Sequence, residues 1–359
     1  MGLARTKTYN FSMKLAVIGL GPAGLALAHR AAVRGIDVTA WEPQPVPAHI
    51  LSVFADELPG WAVDLPSRSI SAPVVYTHDG TRVPLHREYR VLDNERVWEK
   101  LTTFPVLNEP VNADAVTAAE LGADIVVDAR GTRDAYAPGM PVQVACDRYT
   151  TVASETVFMD FRSPDPDRFT YTIPLGDGHF LQQNTILATV TPERDTDVFI
   201  PLMPAPYTGP HVPYGTRAGF IHPFTGYSVA TSFRLADKTL DALQARVHNL
   251  SHAHGTHKPF LSSPTLLPWQ TPTFKADLAL SRRCLAALLA LPADSRRDII
   301  EAVFSLPPEL ARKFLILGNL GATLKGMARI WIGLRDGSHK AQLISAFATS
   351  TATGQPALG

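Results

Sequence analysis

"KLAVIGLGPAGLALAHRAAVRGIDVTAWEP", residues 14–43, decides the fold. The apolar run KLAVIGL is followed by a glycine-rich turn. GPAGLALAHRAAVRG then carries its apolar side chains at helical spacing, and IDVTAWEP returns to a strand pattern. Strand, turn, helix and strand in this order form a βαβ unit, the usual opening of a parallel sheet. Gly19, Gly21 and Gly24 place GxGxxG across the first strand-to-helix turn, and Glu42 closes the next strand about 20 residues on.

Each of these positions has a physical reason. Gly19 allows the tight turn, Gly21 lets the backbone approach a pyrophosphate, and Gly24 lets helix pack on strand. The helix that opens through Pro22 and Ala23 offers unpaired amides and positive potential to phosphate oxygens. Glu42 is placed to accept hydrogen bonds from the ribose of an adenosine half.

A second parallel strand is expected in "ADIVVDARG", residues 123–131, a nearly continuous apolar run ending at Asp128 and Gly131. A chain that binds FAD rather than NAD needs a later patch for the flavin's far end. "RAGFIHPFTGYSV", residues 217–229, is placed as such a patch, with Arg217, Gly219, His222, Thr225, Gly226 and Tyr227 as candidates. FAD is the cofactor this layout favours.

Between these pieces the pattern changes. Asp79-Gly80 separates two extended runs within residues 73–85, a hairpin signal. Residues 141–200 break into short strand-like pieces, TVFMDF, RFTYTIPL and HFLQQNTILATV, as in an antiparallel sheet. From about residue 273 the chain reads as helices, with a capped start expected in PADSRRDIIEAVFSL, residues 292–306. The fold class is therefore α/β: a Rossmann-type FAD-binding domain from 13–68, 86–140 and 201–250, an inserted antiparallel β substrate domain from 69–85 and 141–200, and a helical C-terminal part over 265–349.

The bulk numbers exclude several function classes. With 33 basic and 33 acidic side chains in 359 residues, no long-range field draws in nucleic acid. The two cysteines, Cys146 and Cys284, give neither a disulfide framework nor a thiolate metal site, which suits a reducing, cytoplasmic setting. His248, His252, His254 and His257 lack accompanying cysteines or paired acids and read as a solvated linker, so no metal is expected. No signal peptide is read at the start. The most apolar late segment, residues 314–334, carries Asn319, Lys325 and Arg329. It reads as a buried helix or one lying peripherally against a membrane.

The motifs resemble one family over nearly the whole chain, the lycopene cyclases, which are FAD-binding proteins that close the ionone rings of carotenoids. The matching stretches run in order: VIGLGPAGLALA at 17–28, VFADEL at 53–58, VVYTHD at 74–79, VVDARG at 126–131, VFMDFRS at 157–163, TYTIPL at 170–175 and AGFIHPFTGYSVA at 218–230. The resemblance implies a flavin kept reduced, with NAD(P)H as reductant, for a reaction without net redox change. It also implies a hydrophobic small-molecule substrate in an apolar tunnel and a helical C-terminal part.

One departure bears on the chemistry. Where those cyclases carry the acidic motif FLEET, this chain has Phe180, Leu181, Gln182, Gln183 and Asn184. An amide has no ionisable proton to give to an alkene. Gln182 and Gln183 could instead orient a polar group or donate to a developing oxyanion, as in a concerted [4+2] closure of a polyketide. Alternatively they are a plain strand pair facing opposite ways. Replacement acids are Asp160, whose apolar neighbours are expected to raise its pKa, and Asp56 or Glu57 in FADEL. His222 is a further catalytic candidate, or a residue that shapes the flavin site.

Two rival readings remain open. An FAD monooxygenase or epoxidase on the same fold usually shows a Gly-Asp pair in the late flavin motif, whereas this chain has Tyr214-Gly215-Thr216-Arg217. The other rival is a catalytically idle relative that binds a lipid-like ligand.

Overall fold

The computed structural model describes residues 13–44, 49–152, 155–192, 195–253 and 265–350. The chain opens with β1 (Lys14–Ile18), α1 (Pro22–Val33) and β2 (Asp37–Trp41). Five short strands follow, β3 (Ser52–Phe54), β4 (Ser67–Ile70), β5 (Val74–Tyr76), β6 (Arg82–Pro84) and β7 (Tyr89–Leu92). After α2 (Asn94–Leu101) come β8 (Val106–Leu107) and β9 (Ile125–Asp128), then the long strands β10 (Val142–Thr150), β11 (Val157–Asp160), β12 (Arg168–Gly176) and β13 (His179–Thr189). β14 (Val198–Pro201) and β15 (Val212–Pro213) precede α3 (Val229–Ala253), and α4 (Pro272–Leu289), α5 (Ala293–Phe304), α6 (Pro308–Phe314), α7 (Leu320–Gly333) and α8 (Gly337–Thr349) complete the order.

Three sheets result. The first is parallel, in the order β15-β9-β1-β2-β8, with Leu15 opposite Ile125 on one side of β1 and Val38 on the other. Its central strands are buried on both faces, which explains the unbroken apolar runs at 15–18 and 125–127. α1 and α3 pack against each other, tied by Arg30 to Asp237 at 3.0 Å.

The second sheet runs β14-β10-β13-β12-β11-β5-β6 and is antiparallel except where β5 joins β11 in parallel. The Asp79-Gly80 hairpin joins β5 to β6, with Gly80 at φ +84° supplying the left-handed turn position. A small third sheet, β3-β7-β4, has no counterpart in the sequence reading. Its strands are only three or four residues long, too short for alternation to register.

Two other expectations are corrected. α5 starts after Pro292 with no side-chain cap, because the proline at the N-cap position carries no acceptor, while Ser295 inside the first turn donates its hydroxyl to Gln342 on α8. His248 and His252 lie on α3 rather than in a linker, while His254 and His257 lie outside the described residues. Among the described residues no group of acids, histidines and cysteines is arranged to hold a metal. Neither Cys146 nor Cys284 is in a disulfide, and no described helix is long and apolar enough to cross a membrane.

Candidate active site

The glycine turn builds the first part of the site. Gly19 sits at φ +91°, where a Cβ would stand 2.8 Å from the Arg130 nitrogen, and a Cβ on Gly24 would overlap the Gly19 carbonyl. α1 starts at Pro22 with Gly21 as its N-cap and no side chain capping it. Its first-turn amides therefore open onto a cleft of about 600 Å³, lined also by Glu42, Gly131 and Thr216. Glu42 accepts from the Leu20 nitrogen at 2.8 Å and from the Gln44 nitrogen at 2.9 Å, one bond on each carboxylate oxygen. Each oxygen keeps a lone pair for a ribose hydroxyl. The backbone cradle and this acid fit a dinucleotide.

Not every residue assigned to the cofactor reaches the cleft. Asp128 is fully buried at the end of β9; burial works against its charge, but Arg130 at 2.8 Å and Arg217 at 3.7 Å hold its carboxyl below the usual range. Arg217 also pairs with Asp134 at 2.6 Å, so Asp128 and Arg217 brace the cleft without lining it. Gly219, at φ +84°, ends a short 3-10 turn, and a Cβ there would meet Leu278. These three are scaffold, and Arg130 and Thr216 take the lining positions.

A chamber of about 240 Å³ continues the cleft, sharing His49 and Ser228 with it. Gly226 and Tyr227 from the late motif line this chamber, and the His222–Tyr227 turn that carries them is closed by His222 N to Tyr227 O and Gly226 N to His222 O, each 2.9 Å. Gly226 sits at φ +69°, and a Cβ there would press to 2.6 Å from the Gln143 amide oxygen. Tyr227 is hydrogen-bonded to Tyr89 at 3.0 Å and to Tyr171 at 3.3 Å. Burial pushes all three phenols up, Tyr89 to about 12, so they are neutral donors and acceptors at any ordinary pH.

Beyond Tyr227 lies an apolar chamber of about 340 Å³, walled by Phe54, Phe158, Phe161 and Leu187, with Thr225 at its edge. Glu57 and Tyr227 line both this chamber and the tyrosine chamber. Glu57 is 7% exposed, and its Oε1 lies 2.7 Å from Nη2 of Arg87. Burial raises its pKa, and the hydrogen bond and charge of Arg87 pull the other way without cancelling the rise. Arg234 adds a second, more weakly felt cation, and its buried Nε has no hydrogen-bond partner.

The remaining candidates separate clearly. On β13 the face carrying Leu181, Gln183 and Thr185 lines the tyrosine chamber, so Gln183 is in the site while its neighbour Gln182 points to the other face. The Gln183 amide nitrogen donates to Asp147 at 2.8 Å, which leaves it only partly available to a ligand. Asp160 overturns the expected raised pKa. Arg162, at 2.6 Å, holds its carboxyl below the usual range, so it is an ionised partner of Arg162 and no proton donor. His222 is buried and lines none of the three chambers; burial lowers its pKa to about 4, so it is neutral.

Sequence reasoning missed Arg87, Tyr89 and Tyr171. Tyr89 and Tyr171 sit on strands of two different sheets and Arg87 in the bend before β7, and only the late turn, through Tyr227, joins the two tyrosines. Glu88, Tyr89 and Arg90 follow Arg87 directly, which hides the cation that meets Glu57 in a polar run.

Fold and cleft together define a Rossmann-type dinucleotide-binding protein of the flavoprotein class. The sequence profile of the Lycopene cyclase protein family matches residues 14–195 and 191–335, and the chain belongs to that family. It is 24% identical over 387 residues to the chloroplastic lycopene beta cyclase of Arabidopsis thaliana, covering 84% of this chain and 74% of that protein. It is 27% identical over 363 residues to an uncharacterized carotenoid cyclase of Deinococcus radiodurans, covering 85% of this chain and 86% of the other. At these identities it is a divergent member. Among solved structures, the flavin-dependent halogenase CmlS superposes with a TM-score of 0.56 at 13% identity, over 95% of this chain and 77% of that one, a likeness of fold.

Proposed function

We propose that the protein is an FAD-binding, non-redox cyclase that closes a ring on an apolar polyene, with Glu57 as the acid that starts the reaction. The observation that carries this reading is the position of Glu57. It is the one carboxyl, among the described residues, that lines both the chamber continuous with the nucleotide cleft and the apolar chamber. Its raised pKa keeps more of it protonated than an exposed glutamate at the same pH.

The proton cycle follows from the neighbours. Glu57 gives its proton to a terminal alkene carbon held in the apolar chamber, and the new carboxylate forms a full ion pair with Arg87 at 2.7 Å. Ring closure moves the positive charge along the chain, where the faces of Phe54 and Phe158 stabilise it without offering a nucleophile. The carboxylate then removes a proton from the adjacent carbon, and the product is an isomer of the substrate. Water is kept out by the apolar wall, which protects the cation from capture. FAD, bound through the Gly19–Gly24 cradle and kept reduced by NAD(P)H, would supply an electron-rich ring against that cation.

The experiment is direct. Oxidised and reduced protein are incubated with linear terpenoid and polyketide polyenes and the products weighed by mass spectrometry. An isomer of unchanged mass, formed by wild type and lost in Glu57→Gln, is the expected result. A product heavier by one oxygen, with NAD(P)H consumed in proportion, overturns the cyclase in favour of a monooxygenase.

A further inference from the structure

A second apolar cavity of about 510 Å³ lies among α4, α7 and α8. It shares four wall residues with the apolar chamber next to Glu57: Phe224, Leu288, Ile299 and Phe314. The two are neighbouring apolar spaces that meet at this shared wall. In that wall the ring centroids of Phe224 and Phe314 are 6.2 Å apart, with the ring planes inclined at 34°.

The pair is held from two sides. The buried ring of His222 accepts from the Phe224 nitrogen at 3.3 Å and is hydrogen-bonded to the backbone of Phe314. On the other side Phe314 rests on Gly326 of α7, so closely that a Cβ on Gly326 would overlap the Phe314 ring. A neutral histidine and a bare glycine together set the position of both rings. Neither is needed for the chemistry at Glu57.

We propose that Phe224 and Phe314 form a constriction between an inner, reacting chamber and an outer chamber that takes the unreacted end of a long linear apolar substrate, with Gly326 as the positioning residue for Phe314. The inference rests on the cyclase reading for the word "reacting" and on geometry for the rest. The inner chamber alone is near the lower limit for small-molecule sites, and the two together fall well within their range. The outer wall is mostly hydrocarbon, from Met327, Ile330, Trp331, Leu343 and Phe347, and its one charged residue, Arg283, is turned to Phe347, donating to its carbonyl at 2.9 Å and stacking on its ring. Selection there is by length more than by functional group.

The test uses conjugated linear polyenes that share one terminus and differ in length. Their binding to the intact flavoprotein is followed by absorbance shift, and their conversion by mass. Ala328→Trp fills the outer chamber from an exposed position on α7, and Gly326→Ala displaces Phe314. Wild type is expected to bind more tightly with each added unit until both chambers are full. Ala328→Trp should lose the long polyenes at least tenfold more than the short ones. Gly326→Ala should move the longest polyene accepted while its flavin content stays that of wild type; a merely structural role would weaken all lengths alike.

If Ala328→Trp treats long and short polyenes as wild type does, the outer chamber is no substrate site and the inference is overturned. Length selection without any isomer formed would leave the two chambers standing and sink the cyclase reading. Isomer formation without length selection would do the reverse. Failure of every polyene to bind would overturn both.

Discussion

Arg87 lies between the two acids of the FADEL run, with Nη2 2.6 Å from Asp56 and 2.7 Å from Glu57, and its guanidinium spread 3.9 Å over the Phe54 ring. The two acids are not equivalent. Asp56 is on the solvent side and also meets Arg312 at 3.8 Å, while Glu57 is buried against the apolar chamber. Asp56 fixes Arg87, and in the proposed cycle Arg87 pairs with the carboxylate left when Glu57 gives up its proton.

Replacing Glu57 by Gln keeps the shape and the Arg87 contact while removing the proton. Isomer formation should fall by roughly 10²–10⁴, the usual worth of a positioned acid. Bound flavin, read from the visible spectrum, should not change. Turnover within a factor of two of wild type would remove Glu57 from the mechanism.

The raised pKa gives a pH dependence with a definite sign. The folded state holds the Glu57 proton more tightly than the unfolded state does. Its contribution to stability is therefore complete below the ordinary glutamate pKa and is lost as pH rises through the folded value. Activity limited by protonated Glu57 should decline over the same window. Arg87 opposes the rise, so Arg87→Leu should move the falling limb to higher pH while lowering the maximum rate. A limb that stays in place or moves down would show that another group titrates.

Much of the cofactor half was legible in the sequence, because a phosphate-binding turn is a local device: its glycines, its helix start and its acid lie within residues 19–42. Gly24→Ala tests it. The added methyl would overlap the backbone carbonyl of Gly19, which cannot move aside as a side chain can. The protein should be isolated colourless, with its helical circular dichroism intact. A yellow Gly24→Ala protein would place the cofactor elsewhere.

The substrate half was less legible, for a physical reason. Glu57, Tyr89, Tyr171 and Tyr227 come from four separate segments, and nothing in any one segment signals that they meet. A strand period does say that Gln182 and Gln183 face opposite ways, but not which of them faces the cavity. The structure chooses Gln183, so the two single variants should differ. Gln182→Ala should retain wild-type turnover, whereas Gln183→Ala frees Asp147 and reshapes the tyrosine chamber, changing product ratio or kcat several-fold. Equal effects of the two would remove Gln183 from the site.

The proposed constriction depends on a buried acid outside it. Asp277 on α4 is fully buried and accepts from the nitrogens of Gly318 and Asn319 at 2.7 and 3.0 Å and from the Thr323 hydroxyl at 2.6 Å. These bonds fasten the turn at Gly318, φ +91°, and the first turn of α7 to α4. Through α7 they set the height of Gly326 under Phe314. Asp277→Ala leaves two amides unpaired in the interior and the Thr323 hydroxyl with only its longer bond to the Asn319 carbonyl, and should cost about 3 kcal/mol of stability, read by urea denaturation. Because the Rossmann cleft is built from other elements, flavin binding should survive at temperatures where the protein stays folded, and selection between long and short polyenes should be blurred. Full stability in Asp277→Ala would mean that α7 is held by its apolar face alone, and unchanged length selection would break the link between this acid and the Phe314 position.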